Sequence, residues 1–174
     1  MAIAGAVLAV SLYLLGFHSD PAKLGTAQIV GTVGALGIGI VCITAGTKAR
    51  RADIPAAEEF GYGRALGTGV MIALFASLFG IGTSFLYARV INPEFVDIIV
   101  QAQVQKLEAR GMSGAHVEAA EKMIRMMSEP VVQAVSGFLG GVFFGTLISL
   151  VTAACLKRPA APETFDDPAP PAGA

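Results

Sequence analysis

Charged residues are absent from four long stretches of this chain, and this segregation constrains the fold more than any motif does. The stretches are Met1–Phe17, Leu24–Thr47, Ala65–Ala88 and Val131–Leu156, none of which contains Asp, Glu, Lys, Arg or His. A charge near the centre of a membrane helix costs roughly 3 kcal/mol or more. The pattern therefore predicts four membrane spans joined by water-facing connectors.

The first stretch is shorter than the other three. A helix rises about 1.5 Å per residue, so each of the three longer stretches can cross a hydrocarbon core about 30 Å thick. Residues 1–17 are marginal by this measure, and an N-terminal apolar run of this length is also compatible with a signal peptide. The run lacks a basic leading region and a convincing cleavage site before Asp20. We therefore interpret it as a short first span.

The overall composition agrees with a membrane protein. Hydrophobic residues make up 54% of the 174 residues, charged residues 14%, and the mean hydropathy is +0.67, which is outside the range of ordinary soluble domains. A net charge of −1 gives no reason to expect a nucleic-acid partner. Cys42 and Cys155 both lie inside apolar spans, so we interpret them as packing residues and not as a disulfide or metal ligands.

The placement of basic residues predicts the orientation in the membrane. On one side they lie next to the span ends: Lys48, Arg50, Arg51, Arg64, Lys157 and Arg158. The other side carries as many, but most of them are dispersed along one long connector: Lys23, Arg89, Lys106, Arg110, Lys122 and Arg125. Because basic residues close to span ends favour the cytoplasm, we expect an N-in, C-in topology.

The connector between the third and fourth spans has the periodicity of two amphipathic helices. Apolar residues recur at helical spacing, stop at Arg110-Gly111 and resume after Ser113. We predict a helical hairpin over about residues 93–127, outside the membrane, with helices at about 93–110 and 113–127. Its apolar residues could pack on each other, on the bundle end or on lipid headgroups. Four of them form the candidate partner surface: Phe95, Ile99, Met123 and Met127.

Small residues recur at every fourth position in the last three spans. The stripe in the fourth span consists of Gly137, Gly141, Gly145, Ser149 and Ala153. The second span has Ala27, Gly31, Ala35 and Gly39, and the third has Gly69, Ala73 and Ser77. Such stripes let helix backbones approach closely in membranes. Two interpretations stay open, namely packing within one bundle and homo-oligomerisation through the fourth span.

No residue pattern predicts catalysis, a cofactor or a metal. His116 has no second ligand one helical turn away, and His18 fits an interfacial position. Thioether metal binding is conceivable for the methionines of the hairpin, but a packing or partner surface is the simpler interpretation. Glu58, Glu59 and Arg64 fit an interfacial cap at the start of the third span better than a catalytic pair. The chain also lacks the nucleotide-binding, hydrolase and zinc-protease motifs.

Several local sequences occur together in an order that is similar to a known family. They are Glu59-Phe60-Gly61, Ile91-Asn92-Pro93-Glu94-Phe95, Gly111-Met112-Ser113, Glu129-Pro130, and Gly145-Thr146-Leu147-Ile148-Ser149-Leu150, followed by Leu156-Lys157-Arg158. The chain resembles the bacterial membrane-protein family called domain of unknown function 4199. The resemblance implies four helices, an outer amphipathic insertion after the third span and a bacterial inner membrane. It implies no catalytic residues. The short N-terminus and the Pro-rich end depart from the family pattern.

The expected architecture is all-α: a four-helix transmembrane bundle over residues 1–158, followed by a disordered Pro- and Ala-rich tail at 159–174. The leading hypothesis is a non-enzymatic accessory or scaffold protein, with membrane lipid, a second copy or an envelope protein as partner. The alternative is a small oligomeric transporter or channel lined by small polar residues: Ser77, Thr83, Ser84, Gln133 and Ser136. A membrane enzyme is third, since nothing aligns a nucleophile with a base.

Overall fold

The computed structural model describes residues 1–55, 58–112 and 114–159, and within these ranges the chain folds into six α-helices. They are α1 (Ala2–Leu14), α2 (Leu24–Asp53), α3 (Tyr62–Leu86), α4 (Phe95–Ala109), α5 (Gly114–Met127) and α6 (Pro130–Leu156). A π-helical turn, Tyr87–Ile91, continues α3. The described residues form no β-strand, only an isolated bridge between Phe60 and Arg158. The all-α prediction is confirmed.

Three of the six helices are long and apolar enough to cross a membrane: α2, α3 with its π-helical turn, and α6. The predicted first span is not confirmed, because α1 has 13 residues and rises only about 20 Å against a core of about 30 Å. The packing of α1 agrees with a helix that does not cross the membrane. Its first residue lies near the middle of α2, because a Cβ added at Gly39 would lie 3.6 Å from the Met1 side chain. Helix α1 therefore runs along one half of α2.

The most extensive helix contact joins α3 and α6 along an antiparallel seam of small residues. A Cβ added at Gly145 would lie within 3.0 Å of the Ala73 side chain, and one added at Gly69 would lie equally close to Ser149. Gly141 meets Ser77 in the same way one turn further along. The two stripes seen in the sequence thus face each other, because only residues without bulky side chains let the backbones come this close.

Helix α2 packs onto this seam through Ile43. Its side chain is fully buried and reaches the space beside both Gly69 and Gly145. Gly46 in turn lies against Ile72 of α3. The core is therefore a three-helix contact in which one branched side chain occupies the groove that glycines leave open.

Large apolar side chains cover the outside of the three long helices. At most 28% of the most apolar window of any of them is buried inside the protein. Exposed residues include Val33 on α2, Phe79 on α3 and Phe143 on α6. Such surfaces are stable next to lipid and would aggregate in water.

Arg158 caps the end of the bundle at which α2 and α3 are connected. Its Nη2 donates hydrogen bonds to the carbonyls of Ile54, Pro55 and Glu58, at 3.1, 2.8 and 3.3 Å. A cation is favourable there because the free carbonyls at the end of a helix carry partial negative charge. Phe60 lies fully buried beneath this contact. Arg158 therefore ties the end of α6 to the end of α2.

Most helix ends lie close to their predicted positions. Helix α4 ends at Ala109, and Gly111, whose φ is +75°, suits the turn in which its N–H and that of Met112 bond back to Glu108 and Leu107. Pro130 is the first residue of α6, as its lack of an N–H allows. Helix α2 runs on to Asp53, beyond the predicted end of its span at residue 47. The predicted helix start at Ser113 and the tail at 160–174 lie outside the described residues.

Matched glycine substitutions test the seam. Gly145→Ala is expected to destabilise the protein by about 1–3 kcal/mol, because the new methyl group overlaps a neighbour that has no flexible end to move. Gly137→Ala is the control, since nothing lies within 4 Å of its added Cβ. It should be neutral or stabilising by up to about 1 kcal/mol. Unfolding in mixed detergent micelles measures both, and equal effects would contradict the seam.

Candidate functional site

Three rings from distant parts of the chain meet at the end of the bundle opposite Arg158. His18 follows α1, Tyr87 begins the π-helical turn after α3, and Phe95 is the first residue of α4. The ring centres of His18 and Phe95 lie 5.2 Å apart, those of Tyr87 and Phe95 5.5 Å, and those of His18 and Tyr87 5.7 Å. Most of these contacts are edge-to-face or tilted, which is favourable for aromatic pairs. We call this group the aromatic junction.

Hydrogen bonds fix the aromatic junction. The Tyr87 hydroxyl bonds with Nδ1 of His18. The side-chain amide of Asn92, which is buried, donates to the His18 carbonyl at 3.3 Å. The Asn92 backbone N–H donates to the Tyr87 carbonyl at 2.8 Å. Asn92 therefore links the loop after α1 to the end of α3.

The π-helical turn aims Tyr87 and Asn92 at these partners. The bond from Asn92 to Tyr87 spans five residues instead of the usual four, so the turn is wider than an α-helical one. Such wide turns occur frequently at functional sites, because they reorient the side chains that follow. Pro93 then cannot continue the backbone bonding, and α4 leaves in a new direction.

Burial lowers the pKa of His18 below its ordinary value of 6.5, because a partly desolvated imidazole resists taking a charge. At neutral pH the ring is therefore uncharged and has one N–H donor and one acceptor nitrogen, and its Nδ1 bonds with the Tyr87 hydroxyl.

Two cavities adjoin the aromatic junction and share His18, Phe95 and Gln133 as lining residues. One, of about 280 Å³, lies between α2, α4 and the start of α6. The other, of about 400 Å³, lies between α1 and the end of α3. Their combined volume is in the size range of small-molecule binding sites. The cavities are therefore large enough for a small ligand. No group of three potential His, Cys, Asp or Glu metal ligands occurs in the described residues.

An ion pair joins the two helices of the predicted hairpin. Arg125 on α5 lies 2.8 Å from Asp97 on α4 and 3.7 Å from Glu121. The hydrogen bond and the charge of Asp97 raise the pKa of Arg125. The pair is exposed, so it contributes little to stability. It shows which side of α5 faces α4.

The four candidate partner residues do not share one face. Phe95 and Ile99 line the 280 Å³ cavity and point into the protein. Met123 and Met127 are each 59% exposed. Of these four residues, only the two on α5 have exposed side chains.

The candidate packing residues also divide. Gly141, Gly145 and Ser149 lie in the α3–α6 seam, whereas the space beside Gly137 is empty. On α2, Ala27 and Gly39 are buried, Gly31 lies beside Leu12, and Ala35 is exposed. The stripe of α2 is thus shared between contacts to α1 and α6.

A family model described as a protein of unknown function (DUF4199) matches residues 1–158. The chain belongs to the DUF4199 family. The match covers all six helices and leaves out only the last 16 positions of the sequence. No curated protein and no solved structure matches this DUF4199 chain.

The aromatic junction of this DUF4199 protein was missed by reasoning from sequence, which gave His18 only an interfacial position. His18 and Tyr87 are 69 positions apart in the chain, so no local periodicity connects them. The available signal was the Asn92-Pro93 break directly after an apolar span, together with a tyrosine five residues before it.

Acidification is expected to destabilise the aromatic junction. The pKa of His18 is lower in the folded protein than in the unfolded chain, so the unfolded chain binds more protons as the pH falls below about 6.5, and stability is lost there. Above that pH His18 is neutral in both states and has no effect. Thermal unfolding followed by circular dichroism from about pH 7.5 to about pH 5 measures the loss.

Variants of the two histidines separate their contributions. His18→Gln should lose most of this pH dependence, since glutamine does not titrate. His116→Gln is the matched control and should keep it. The opposite pattern, with His116→Gln alone removing the dependence, would show that His18 is not the group responsible.

Proposed function

We propose that this protein is a non-enzymatic accessory or scaffold protein of the bacterial inner membrane, and that α5 is the surface it presents to a partner. In this proposal the C-terminus and the α2–α3 connector face the cytoplasm, the short α1 packs along the outer half of α2 as the fourth helix of the bundle, and α4 and α5 form a hairpin on the outer side. The single observation that carries the proposal is the row of uncovered methionines on an otherwise charged helix.

The methionines of α5 are more than half uncovered by the residues that the structure describes. Met123, Met126 and Met127 are 59–61% exposed, and α5 has no buried residue. Its other side carries the charges of Glu118 and Lys122 and the ion pair of Arg125. A helix with opposed charged and apolar sides at the end of a bundle is typical of a docking surface. Methionine adapts its shape to different partners.

The partner we propose is an apolar helix of another membrane protein. Val131 and Val135, which directly follow on α6, are 57% and 52% exposed. Residues 128–130 alone separate these valines from the methionines in sequence, so exposed apolar side chains at the end of α5 are followed by others at the start of α6. A helix in the same membrane can lie along α6 and extend over α5, whereas a soluble partner would reach only the hairpin.

Photo-crosslinking in native membranes tests this proposal. A photoreactive amino acid at Met123 or Met127 should give a discrete protein adduct, because these side chains would lie in the contact. The same amino acid at Glu118, on the charged side of α5, is the control and should give little. The adduct is identified by mass spectrometry, and adducts with lipid only would overturn the proposal.

A charge on the surface should weaken the same contact. Met123→Asp combined with Met127→Asp is expected to reduce recovery of the crosslinked protein in a mild-detergent pull-down by at least about tenfold, as expected for a charge buried without a partner. Lys122→Ala should leave recovery unchanged. Equal recovery from all three proteins would contradict a contact through the methionines.

A small oligomeric transporter or channel is the second candidate. Thr83, Ser84 and Gln133 line the 400 Å³ cavity, which is the observation in its favour. Against a continuous path, Ser77 packs against Gly141 in the seam, and Ser136 does not line that cavity. A water-filled route would therefore need a second copy of the chain.

Cysteine labelling separates this candidate from the scaffold. In a background in which Cys42 and Cys155 are replaced by Ser, a cysteine at Thr83 should react with a membrane-impermeant maleimide added from outside if a pathway exists. A cysteine at Ser77 should react as well, since a channel continues past the seam. Protection at Ser77 with reactivity at Thr83 would exclude the channel and leave a closed-ended cavity.

A further inference from the structure

The two cavities at the aromatic junction are both lined mainly by apolar groups, and they differ in the polar side chains that they contain. The smaller one, which we call the polar chamber, contains three carboxamides and a cation: Gln28, Gln103, Gln133 and Lys106. The larger one, the apolar chamber, is walled on one side by the small residues of α1, among them Ala2, Gly5, Ala6 and Ala9. His18, Phe95 and Gln133 belong to both.

The polar chamber has hydrogen-bonding groups that the protein leaves unused. None of its three carboxamides bonds with another side chain among the described residues, and Nε2 of His18 forms no hydrogen bond there. Lys106 is the only charged side chain among its lining residues, which include no acid. Donors converging with one unopposed positive charge suit a single anionic group.

The apolar chamber exists because α1 carries small side chains where it faces α3. A Cβ added at Gly5 or at Gly80 would meet nothing within 4 Å, so the two helices leave open space between them. Leu86 and Ile91 line the chamber near the π-helical turn. A hydrocarbon chain is the group that gains most from such a space, at roughly 25 cal/mol per Å² of apolar surface removed from water.

We propose that the two chambers form one binding site for a fatty acid, with the carboxylate in the polar chamber and the hydrocarbon chain in the apolar chamber. One cation balances the single charge of a carboxylate. A phospholipid carries two chains, which is more than this chamber of about 400 Å³ accommodates. The site lies on the inner side of α4 and is independent of the surface proposed on α5.

Two photoreactive probes test this site in isolated membranes: a diazirine-bearing palmitic acid and the alcohol of the same chain length. The acid is expected to label peptides from α1 and from the end of α3, about fivefold more than the alcohol does. Lys106→Gln should abolish that preference. Lys122→Gln, at a lysine of α5 that lines neither chamber, should keep it.

A second variant tests the hydrocarbon site. Ala6→Phe fills the apolar chamber and should reduce labelling by both probes. Labelling spread evenly over the outward faces of α2 and α6, unchanged by Ala6→Phe, would show ordinary lipid contact and overturn the proposal. Equal labelling by acid and alcohol would overturn the assignment of the carboxylate. If a lysophospholipid competed with the probes and laurate did not, the assignment of a fatty acid as the ligand would be overturned.

Discussion

The close approach of α3 and α6 determines how the rest of the protein is arranged. Lipid is as apolar as leucine, so helices in a membrane gain little from burying hydrophobic surface and associate through close packing. Glycine, alanine and serine at matched positions permit that packing, and Ile43 of α2 fills the groove that they create. The large side chains are left on the outside. The same choice of residues thus gives both a tight core and a lipid-facing surface.

The seam also defines the two ends of the bundle. At one end the chain leaves α6 at Arg158, which bonds to the carbonyls at the end of α2. At the other end α3 widens into the π-helical turn, and Asn92 connects it to the loop after α1. The cavities form at this second end, since α1 is short and carries small residues there. Close packing in the middle of the bundle is thus combined with these two cavities at the end that holds the aromatic junction.

Sequence reasoning predicted the features that local patterns encode. The charge-free stretches gave the long helices, the small-residue spacing gave the faces of α3 and α6 that meet, and Arg110-Gly111 gave the end of α4. The predicted first span, residues 1–17, was not confirmed, because lack of charge does not distinguish a crossing helix from one that covers half of its neighbour. The aromatic junction could not be predicted either. It depends on contacts between segments about 70 residues apart, and these follow from the packing of the whole bundle.

The strengths of the contacts made by α4 indicate what holds this helix in place. The exposed pair of Arg125 and Asp97 is worth about 0–1 kcal/mol, too little to position a helix. Each ring contact of Phe95 with His18 or Tyr87 adds about 0.5–1.5 kcal/mol beyond its buried area, and the bonds of Asn92 fix the direction in which α4 leaves. The inner side of α4 is therefore held by the aromatic junction. Helix α5 contacts mainly α4, and its exposed methionines lie apart from the residues that line the two cavities.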